Sequence, residues 1–94
     1  MAAYLIAEID VHDTEQYGLY TAQTPALVAR HGGRFIVRGG NAESLEGAWS
    51  GRIAVMEFPN RAALNAFWND PDYRAIVGIR HANSEGRIVA VDGV

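Results

Sequence analysis

The segment His31-Gly32-Gly33-Arg34-Phe35-Ile36-Val37-Arg38-Gly39-Gly40 decides the fold, because it joins a helix end, a turn, a short strand and a second turn. His31 and Gly32 are typical of a helix C-terminus, where glycine readily adopts the left-handed conformation. Arg34–Gly39 is the predicted strand, with an arginine near each end, and a glycine pair stops it. The segment therefore places charges at fixed positions on a sheet that follows a helix.

Upstream, the sequence predicts a buried strand and a helix. Ala3–Ile9 is short and almost uniformly apolar, which is typical of a strand covered on both faces. Asp13 is the expected helix cap, and Gln16 completes a capping-box pattern. Pro25 lies within this helix and its ring clashes with the preceding turn, so we expect a kink there. The inward-facing residues follow at three- and four-residue steps: Tyr17, Tyr20, Thr24, Leu27, Val28 and His31.

Downstream, a polar and glycine-rich loop, Gly40–Trp49, precedes a third strand, Arg52–Phe58. Asn60 is the expected cap of a short helix, and Asp70-Pro71 caps and begins another, since proline is favoured in the first helical position. Gly86 is expected to end the preceding element, and a last strand, Arg87–Asp92, follows it.

This order, β-α-β-β-α-β, predicts an α+β, ferredoxin-like fold: an antiparallel four-stranded sheet of order 4-1-3-2 with helices on one face. We expect a single domain over residues 1–94, since no linker or repeat divides the chain. The helices cover one face, yet three strands are apolar at successive positions. An exposed patch of that size is unusual in monomers, so we expect a homodimer formed sheet against sheet. The patch should include several of Leu5, Ile6, Ile53, Val55, Val89 and Val91.

Composition excludes several classes of function. The 94 residues carry a net charge of −3 and no cysteine. Binding to a nucleic-acid backbone would require a basic stripe, so we expect no nucleic-acid partner. Without cysteine we expect no disulfide, no thiolate metal site and no cysteine nucleophile. No apolar run is long enough to span a membrane and no leader pattern is present, so we expect no membrane partner and a cytoplasmic location.

The chain resembles the domain-of-unknown-function 1330 family of the dimeric α/β-barrel superfamily. The resemblance spans essentially the whole chain, and its motifs are Tyr17-x-x-Tyr20, Pro25, His31-Gly32-Gly33-Arg34-Phe35, Arg38-Gly39-Gly40, Leu45-Glu46-Gly47-x-Trp49, Glu57-Phe58-Pro59, Asp70-Pro71-x-Tyr73, Arg80 and Asp92-Gly93. At position 70 the family often has serine, which also caps helices. The resemblance implies a homodimer whose sheets face each other as a barrel. It implies no activity, although the superfamily includes cofactor-independent monooxygenases, lactone isomerases and haem-degrading enzymes.

Arg80 is the first candidate for ligand binding. It shares a helix face with Tyr73, Ile76 and Val77, so its stem is expected to point inward, where a guanidinium needs a carboxylate or a ligand anion. The alternatives are a structural ion pair with Glu57 or Glu8 and extension of the side chain to the surface.

Arg34 and Arg38 lie four residues apart on one strand, so we expect them on the same face. They could form an anion-binding surface. Alternatively, Arg34 pairs with Glu57 across the hairpin, and such pairs set the register of a dimer interface; the second interpretation is the favoured one.

His31 is the candidate acid–base group, with Tyr17, Tyr20 and Tyr73 as possible hydroxyl partners; Tyr73 is the second catalytic candidate. The structural alternative for His31 is a contact with the last-turn carbonyls of its helix. Tyr17 and Trp49 are further ligand-binding candidates. Trp49 could cover a pocket or fill the dimer interface.

No metal site is expected, because the three histidines are far apart in sequence and none has a ligand at helical spacing. No cofactor motif is present either. The resulting hypothesis is a pocket between helices and sheet that binds a small anionic or aromatic molecule, with Arg80 or Arg38 as the anion partner and cofactor-independent proton transfer or oxidation as the chemistry. The alternative is a dimeric binding or structural module without turnover.

Overall fold

The computed structural model describes residues 1–94. Its elements, in chain order, are β1 (Ala3–Val11), α1 (Thr14–Thr21), α2 (Thr24–Arg30), β2 (Arg34–Arg38), β3 (Arg52–Phe58), α3 (Arg61–Trp68), α4 (Pro71–Asn83) and β4 (Ser84–Asp92). All strand pairs are antiparallel and the strand order is β2-β3-β1-β4, which confirms the predicted α+β fold and topology. No helix has the length and hydropathy needed to cross a bilayer.

The first helical segment breaks instead of kinking, so the expectation of one kinked helix was wrong. Helix α1 ends at Thr21, and α2 begins at Thr24 with Pro25 in its first turn. Proline lacks the N–H that a continuous helix would use, whereas the first turn of a new helix needs no such donor. The Asp13 side chain caps α1 by accepting a hydrogen bond from the Gln16 backbone N–H.

Two glycines occupy positions where a residue with a side chain would be strained or would clash. Gly32 follows α2 with a φ of +76°, the predicted left-handed helix end. Gly86 does not stop an element, contrary to expectation: it pairs with Ile9 inside β4, where a Cβ would collide with the Glu8 carbonyl oxygen. Because a glycine allows strands to approach this closely, β1 and β4 extend beyond their predicted bounds.

The core lies between the helices and one face of the sheet, here called the inner face. Along β1, Ala3, Leu5, Ala7 and Ile9 are buried on this face. Leu5 was a candidate for the exposed patch, but strand alternation directs it inward.

The opposite, outer face of the sheet has no helix on it, and apolar residues form its centre between two ion pairs, Arg34–Glu57 and Arg87–Glu8. Ile6 lies opposite Val55 on β3 and Val89 on β4. Val89 is 56% exposed and Val91 is 43% exposed. The predicted mismatch between two apolar sheet faces and one layer of helices is therefore present in the structure.

A β-bulge separates the two arginines of β2. Arg34 lies opposite Glu57 and Phe35 opposite Met56, but the register then shifts, so that Arg38 lies opposite Ala54. The extra residue reverses the alternation of side chains. Arg34 therefore lies on the outer face and Arg38 on the inner face, and the expectation that they share a face was wrong.

Candidate functional site

A cavity of about 40 Å³ lies between α1, α4 and the inner face of the sheet. One water needs roughly 10–15 Å³ of such space, so this cavity accommodates several waters or part of a small organic molecule. Its lining is mostly apolar and aromatic: Ala7, Ile9, Tyr17, Tyr20, Thr21, Thr24, Phe35, Arg38, Arg52, Ala54, Met56, Tyr73, Arg80 and Ile88. A more open cavity of about 250 Å³ shares Ile9, Tyr17, Thr21 and Arg52 with it and continues toward the surface.

The cavity is strongly asymmetric in charge. Arg38, Arg52 and Arg80 line it, and no aspartate or glutamate does. The whole chain nevertheless carries more acidic than basic residues, with a net charge of −3. Positive charge surrounded by apolar walls favours an anion, because low polarisability strengthens the attraction.

Arg80 is the buried member of the three arginines. It is 9% exposed, in the last turn of α4, and its Nε–H has no hydrogen-bond partner. Its guanidinium carbon lies 5.9 Å from the centre of the Tyr20 ring. No ion pair in the structure includes Arg80.

The two carboxylates considered as partners of Arg80 are engaged elsewhere. Glu57 accepts hydrogen bonds from Arg34 Nε and the Tyr4 hydroxyl, both at 3.1 Å. Glu8 pairs with Arg87 at 3.2 Å. Both glutamates lie on the outer face of the sheet, and neither pairs with Arg80.

Two buried tyrosines connect α1 to α4 beside Arg80. The hydroxyl oxygens of Tyr20 and Tyr73 are 2.8 Å apart and share one hydrogen bond. Burial raises the pKa of Tyr20 well above its ordinary value, and the nearby Tyr73 hydroxyl adds to the shift. Burial also raises the pKa of Tyr17, whose ring centre is 5.4 Å from that of Tyr20. The Tyr20 and Tyr17 hydroxyls therefore remain protonated near neutral pH.

Arg38 and Arg52 lie at the rim of the cavity. Arg38 Nη2 donates to the Thr21 carbonyl oxygen at 2.9 Å, and its guanidinium lies 4.9 Å from the centre of the Phe35 ring. Arg52 was not among the sequence candidates. Strand alternation could have identified it. Arg52 lies two residues before Ala54 on β3, so both face the inner side of the sheet, and Arg52 lies opposite the buried Ile9.

His31 lies outside this cavity, and its ring is already engaged. His31 Nε2 is 2.7 Å from Asp70 Oδ2, and Arg30 Nη1 is 3.1 Å from the same oxygen. The hydrogen bond from His31, together with the Asp72 backbone N–H, lowers the pKa of Asp70 to about 2. This group of side chains ties the end of α2 to the beginning of α4.

Trp49 lies on the outer side of the sheet, where its ring is 5.4 Å from the Arg87 guanidinium. With Ile6 and Glu8 it borders an open outer-face cavity of about 460 Å³. The structure thus brings five of the candidates together, Arg80, Arg38, Tyr17, Tyr20 and Tyr73. His31, Trp49 and the Arg34–Glu57 pair lie elsewhere. No group of three or more metal-ligating side chains is assembled.

Comparison with known proteins identifies the family. The model of the domain of unknown function DUF1330 matches residues 2–94, and the chain belongs to this family. No protein of curated function matches the sequence.

Solved structures share the fold at low sequence identity. A protein of unknown function from Rhodopseudomonas palustris is 20% identical with a TM-score of 0.81, over 99% of this chain and 82% of that one. A dimeric ferredoxin-like protein of unknown function from Jannaschia sp. CCS1 is 14% identical with a TM-score of 0.80, over 99% and 100%. SnoaB, a cofactor-independent oxygenase from Streptomyces nogalater, is 17% identical with a TM-score of 0.66, over 99% and 93%. These matches confirm the ferredoxin-like fold.

Proposed function

We propose that this member of the DUF1330 family binds a small organic anion in the cavity between α1, α4 and the sheet, with Arg80 as the anion partner. One observation carries the proposal: the buried Arg80 guanidinium has no carboxylate partner in a cavity that three arginines and no acidic residue line. A buried charge without a counterion is strongly unfavourable, so a ligand that supplies the counterion would bind with a large gain.

The apolar lining favours an anion with an apolar or aromatic body. Phe35, Met56 and Ile88 surround the space that the arginines leave, and the tyrosine rings form one wall. A small ligand with a charged end and an apolar end would satisfy both parts of the lining. This composition agrees with the sequence hypothesis of a small anionic or aromatic ligand.

If the ligand is turned over, the groups present suit chemistry in which negative charge develops on oxygen. A guanidinium beside mostly apolar walls stabilises an enolate or phenolate. Isomerisation by proton transfer and cofactor-independent oxidation of an activated substrate by dioxygen, which takes up the electrons, both pass through such anions. The fold shared with SnoaB, a cofactor-independent oxygenase, adds support for the second reaction. The proton-carrying groups beside Arg80 are Tyr20, whose ring its guanidinium contacts, and Tyr73, which is hydrogen-bonded to Tyr20.

We also propose that the chain acts as a cytoplasmic homodimer that joins the outer faces of two sheets. The exposed apolar residues Val89 and Val91 support this assembly, as does the dimeric relative from Jannaschia. On this face Arg34 is paired with Glu57 and Arg87 with Glu8, so the assembly would not bury isolated arginine charges. A dimeric module without turnover is the second candidate function, and these paired charges favour it.

Binding is tested by calorimetry and thermal shift with small carboxylates on the wild type, Arg80→Met and Arg61→Met. Arg61 is an exposed arginine on α3, away from the cavity, and serves as the matched control. We expect Arg80→Met to lower carboxylate affinity by roughly 100-fold, because a buried charge-assisted contact is lost, and Arg61→Met to leave it unchanged. Equal affinity in wild type and Arg80→Met would exclude Arg80 as the anion partner.

The assembly is tested by light scattering at micromolar concentration. We expect a dimer for the wild type and for Val94→Lys, and a monomer for Val89→Lys, because a lysine in the centre of an apolar interface is left without a partner. A monomeric wild-type protein would overturn the proposed assembly.

A further inference from the structure

The tyrosine pair beside Arg80, Tyr20 and Tyr73, has two hydroxyl hydrogens but a protein acceptor for only one of them. Each hydroxyl carries one hydrogen, and the bond between Tyr20 and Tyr73 uses only one of the two. Neither hydroxyl takes part in any other hydrogen bond of the structure. The hydroxyl that accepts therefore keeps an O–H with no protein acceptor, within the lining of the cavity.

The surroundings of the two tyrosines favour one donor order. Tyr73 is 1% exposed, whereas Tyr20 is 7% exposed. The Tyr20 ring is also the one that the Arg80 guanidinium contacts. Both observations favour the order in which Tyr73 donates to Tyr20, which leaves the Tyr20 hydroxyl hydrogen for an acceptor in the cavity.

Two groups beside the same cavity thus lack a protein acceptor: the guanidinium of Arg80, whose buried Nε–H has no partner, and one hydroxyl of the tyrosine pair, assigned to Tyr20. A water molecule could accept from both, but it would leave the guanidinium charge without a counterion. A carboxylate supplies acceptor oxygens together with a negative charge. Of the common acceptors, a carboxylate matches both donors.

We propose that the ligands of the cavity are planar monocarboxylates with an apolar body, whose carboxylate is bound jointly by the Arg80 guanidinium and the Tyr20 hydroxyl, with Tyr73 as the positioning residue. This inference rests on the proposed function of the cavity and narrows it to one class of ligand. The apolar body lies against Phe35, Met56 and Ile88.

The same lining disfavours inorganic phosphate. A phosphate dianion has more acceptor oxygens than the Arg80 and Tyr20 donors satisfy. Because Arg38 and Arg52 lie at the rim of the cavity, the remaining oxygens of a phosphate beside Arg80 would face mainly apolar side chains. Unpaired oxygens in such surroundings are unfavourable. A neutral amide of the same shape is disfavoured too, because its NH₂ group would face the Arg80 and Tyr20 donors.

The test is calorimetry with a set of planar monocarboxylates from crotonate to benzoate, with the matching amides and with inorganic phosphate. The proteins are the wild type, Tyr20→Phe, Tyr73→Phe, Arg80→Met and the control Tyr4→Phe, which loses a hydroxyl on the outer face. We expect Tyr20→Phe to lower carboxylate affinity roughly 10- to 100-fold, the range for a hydrogen bond to a charged group. Tyr73→Phe should lower it only about 3-fold, because the donor stays and loses its polarising partner.

The ratio of acid to amide affinity separates ligand recognition from a structural effect. It should fall in Tyr20→Phe and stay near the wild-type ratio in Tyr4→Phe, with both variants folded by circular dichroism. Carboxylate binding that needs Arg80 but is unchanged in Tyr20→Phe would overturn this inference and leave the proposed function standing. Failure of every carboxylate to bind the wild type would overturn both. A larger loss in Tyr73→Phe than in Tyr20→Phe would overturn the donor order, and tighter phosphate binding would overturn the ligand class.

Discussion

The two ends of helix α4 bury charged side chains in opposite ways. At its beginning, Asp70 is surrounded by donors: His31 at 2.7 Å, the Asp72 backbone N–H at 2.8 Å and Arg30 at 3.1 Å. At its end, Arg80 has a buried Nε–H without a partner. Both charges have the sign that the helix dipole favours. The difference shows that burial of a charged residue does not indicate a ligand site unless the partners within the protein are missing.

The largest effect on stability is expected at the beginning of α4, the paired end, where Asp70 has its hydrogen-bond donors. Asp70→Ala removes the α4 cap and leaves His31 and Arg30 without their acceptor, so we expect the Tm to fall by roughly 5 °C or more. Thermal melts followed by circular dichroism measure this. Asp72→Ala is the matched control, because Asp72 is an exposed partner of Arg30, and its Tm should change less. Carboxylate binding should survive in Asp70→Ala, and its loss would show that the two ends are not independent.

Acid provides a second, smaller test of the paired end. The pKa of Asp70 is lowered from 3.8 to about 2, chiefly by the hydrogen bond from His31 and then by the Asp72 N–H. A carboxyl whose pKa is lowered on folding contributes stability that is complete above its ordinary pKa and disappears as pH falls through the folded value. Between about pH 4 and pH 2, the Tm of the wild type should therefore fall more steeply than that of Asp70→Asn. Parallel curves for the two proteins would contradict this assignment.

The smallest effect, and one of opposite sign, is expected at the unpaired end. Without ligand, Arg80→Met replaces a buried unpaired charge by an apolar side chain of similar length. Its free energy of unfolding should therefore equal that of the wild type or exceed it by about 1 kcal/mol. Chemical denaturation in ligand-free buffer measures this. A large destabilisation would reveal a protein partner of Arg80 and remove the contrast between the two ends.

Sequence patterns predicted most of the framework because short-range chemistry determines it. Asp13, Asn60 and Asp70 cap their helices as expected, since capping depends on a side chain and a backbone N–H a few residues away. The apolar runs predicted a sheet with two apolar faces. The bulge in β2 was missed, because no glycine or proline marks it, and a single extra residue moved Arg38 to the other face from Arg34.

The candidate site was predicted only in part. Arg80, Tyr73, Tyr17 and Arg38 were candidates and share one cavity, whereas Arg52 was missed. His31 and Arg80 gave the same signal, a basic residue on the inward stripe of a helix. Only contacts between segments that are distant in the sequence distinguish the two residues. Asp70 pairs with His31, whereas no aspartate or glutamate pairs with Arg80.

The amino-acid sequence by itself determined the helix caps, the strand order and most of the helices and strands of this protein, since these follow from periodicity and from contacts between near neighbours. Apart from the Arg34–Glu57 pair, which the sequence favoured, the tertiary structure decided which charges are paired. Pairing joins residues tens of positions apart, and no local pattern encodes those contacts. The unpaired Arg80, and with it the proposed ligand site, follows from that three-dimensional arrangement.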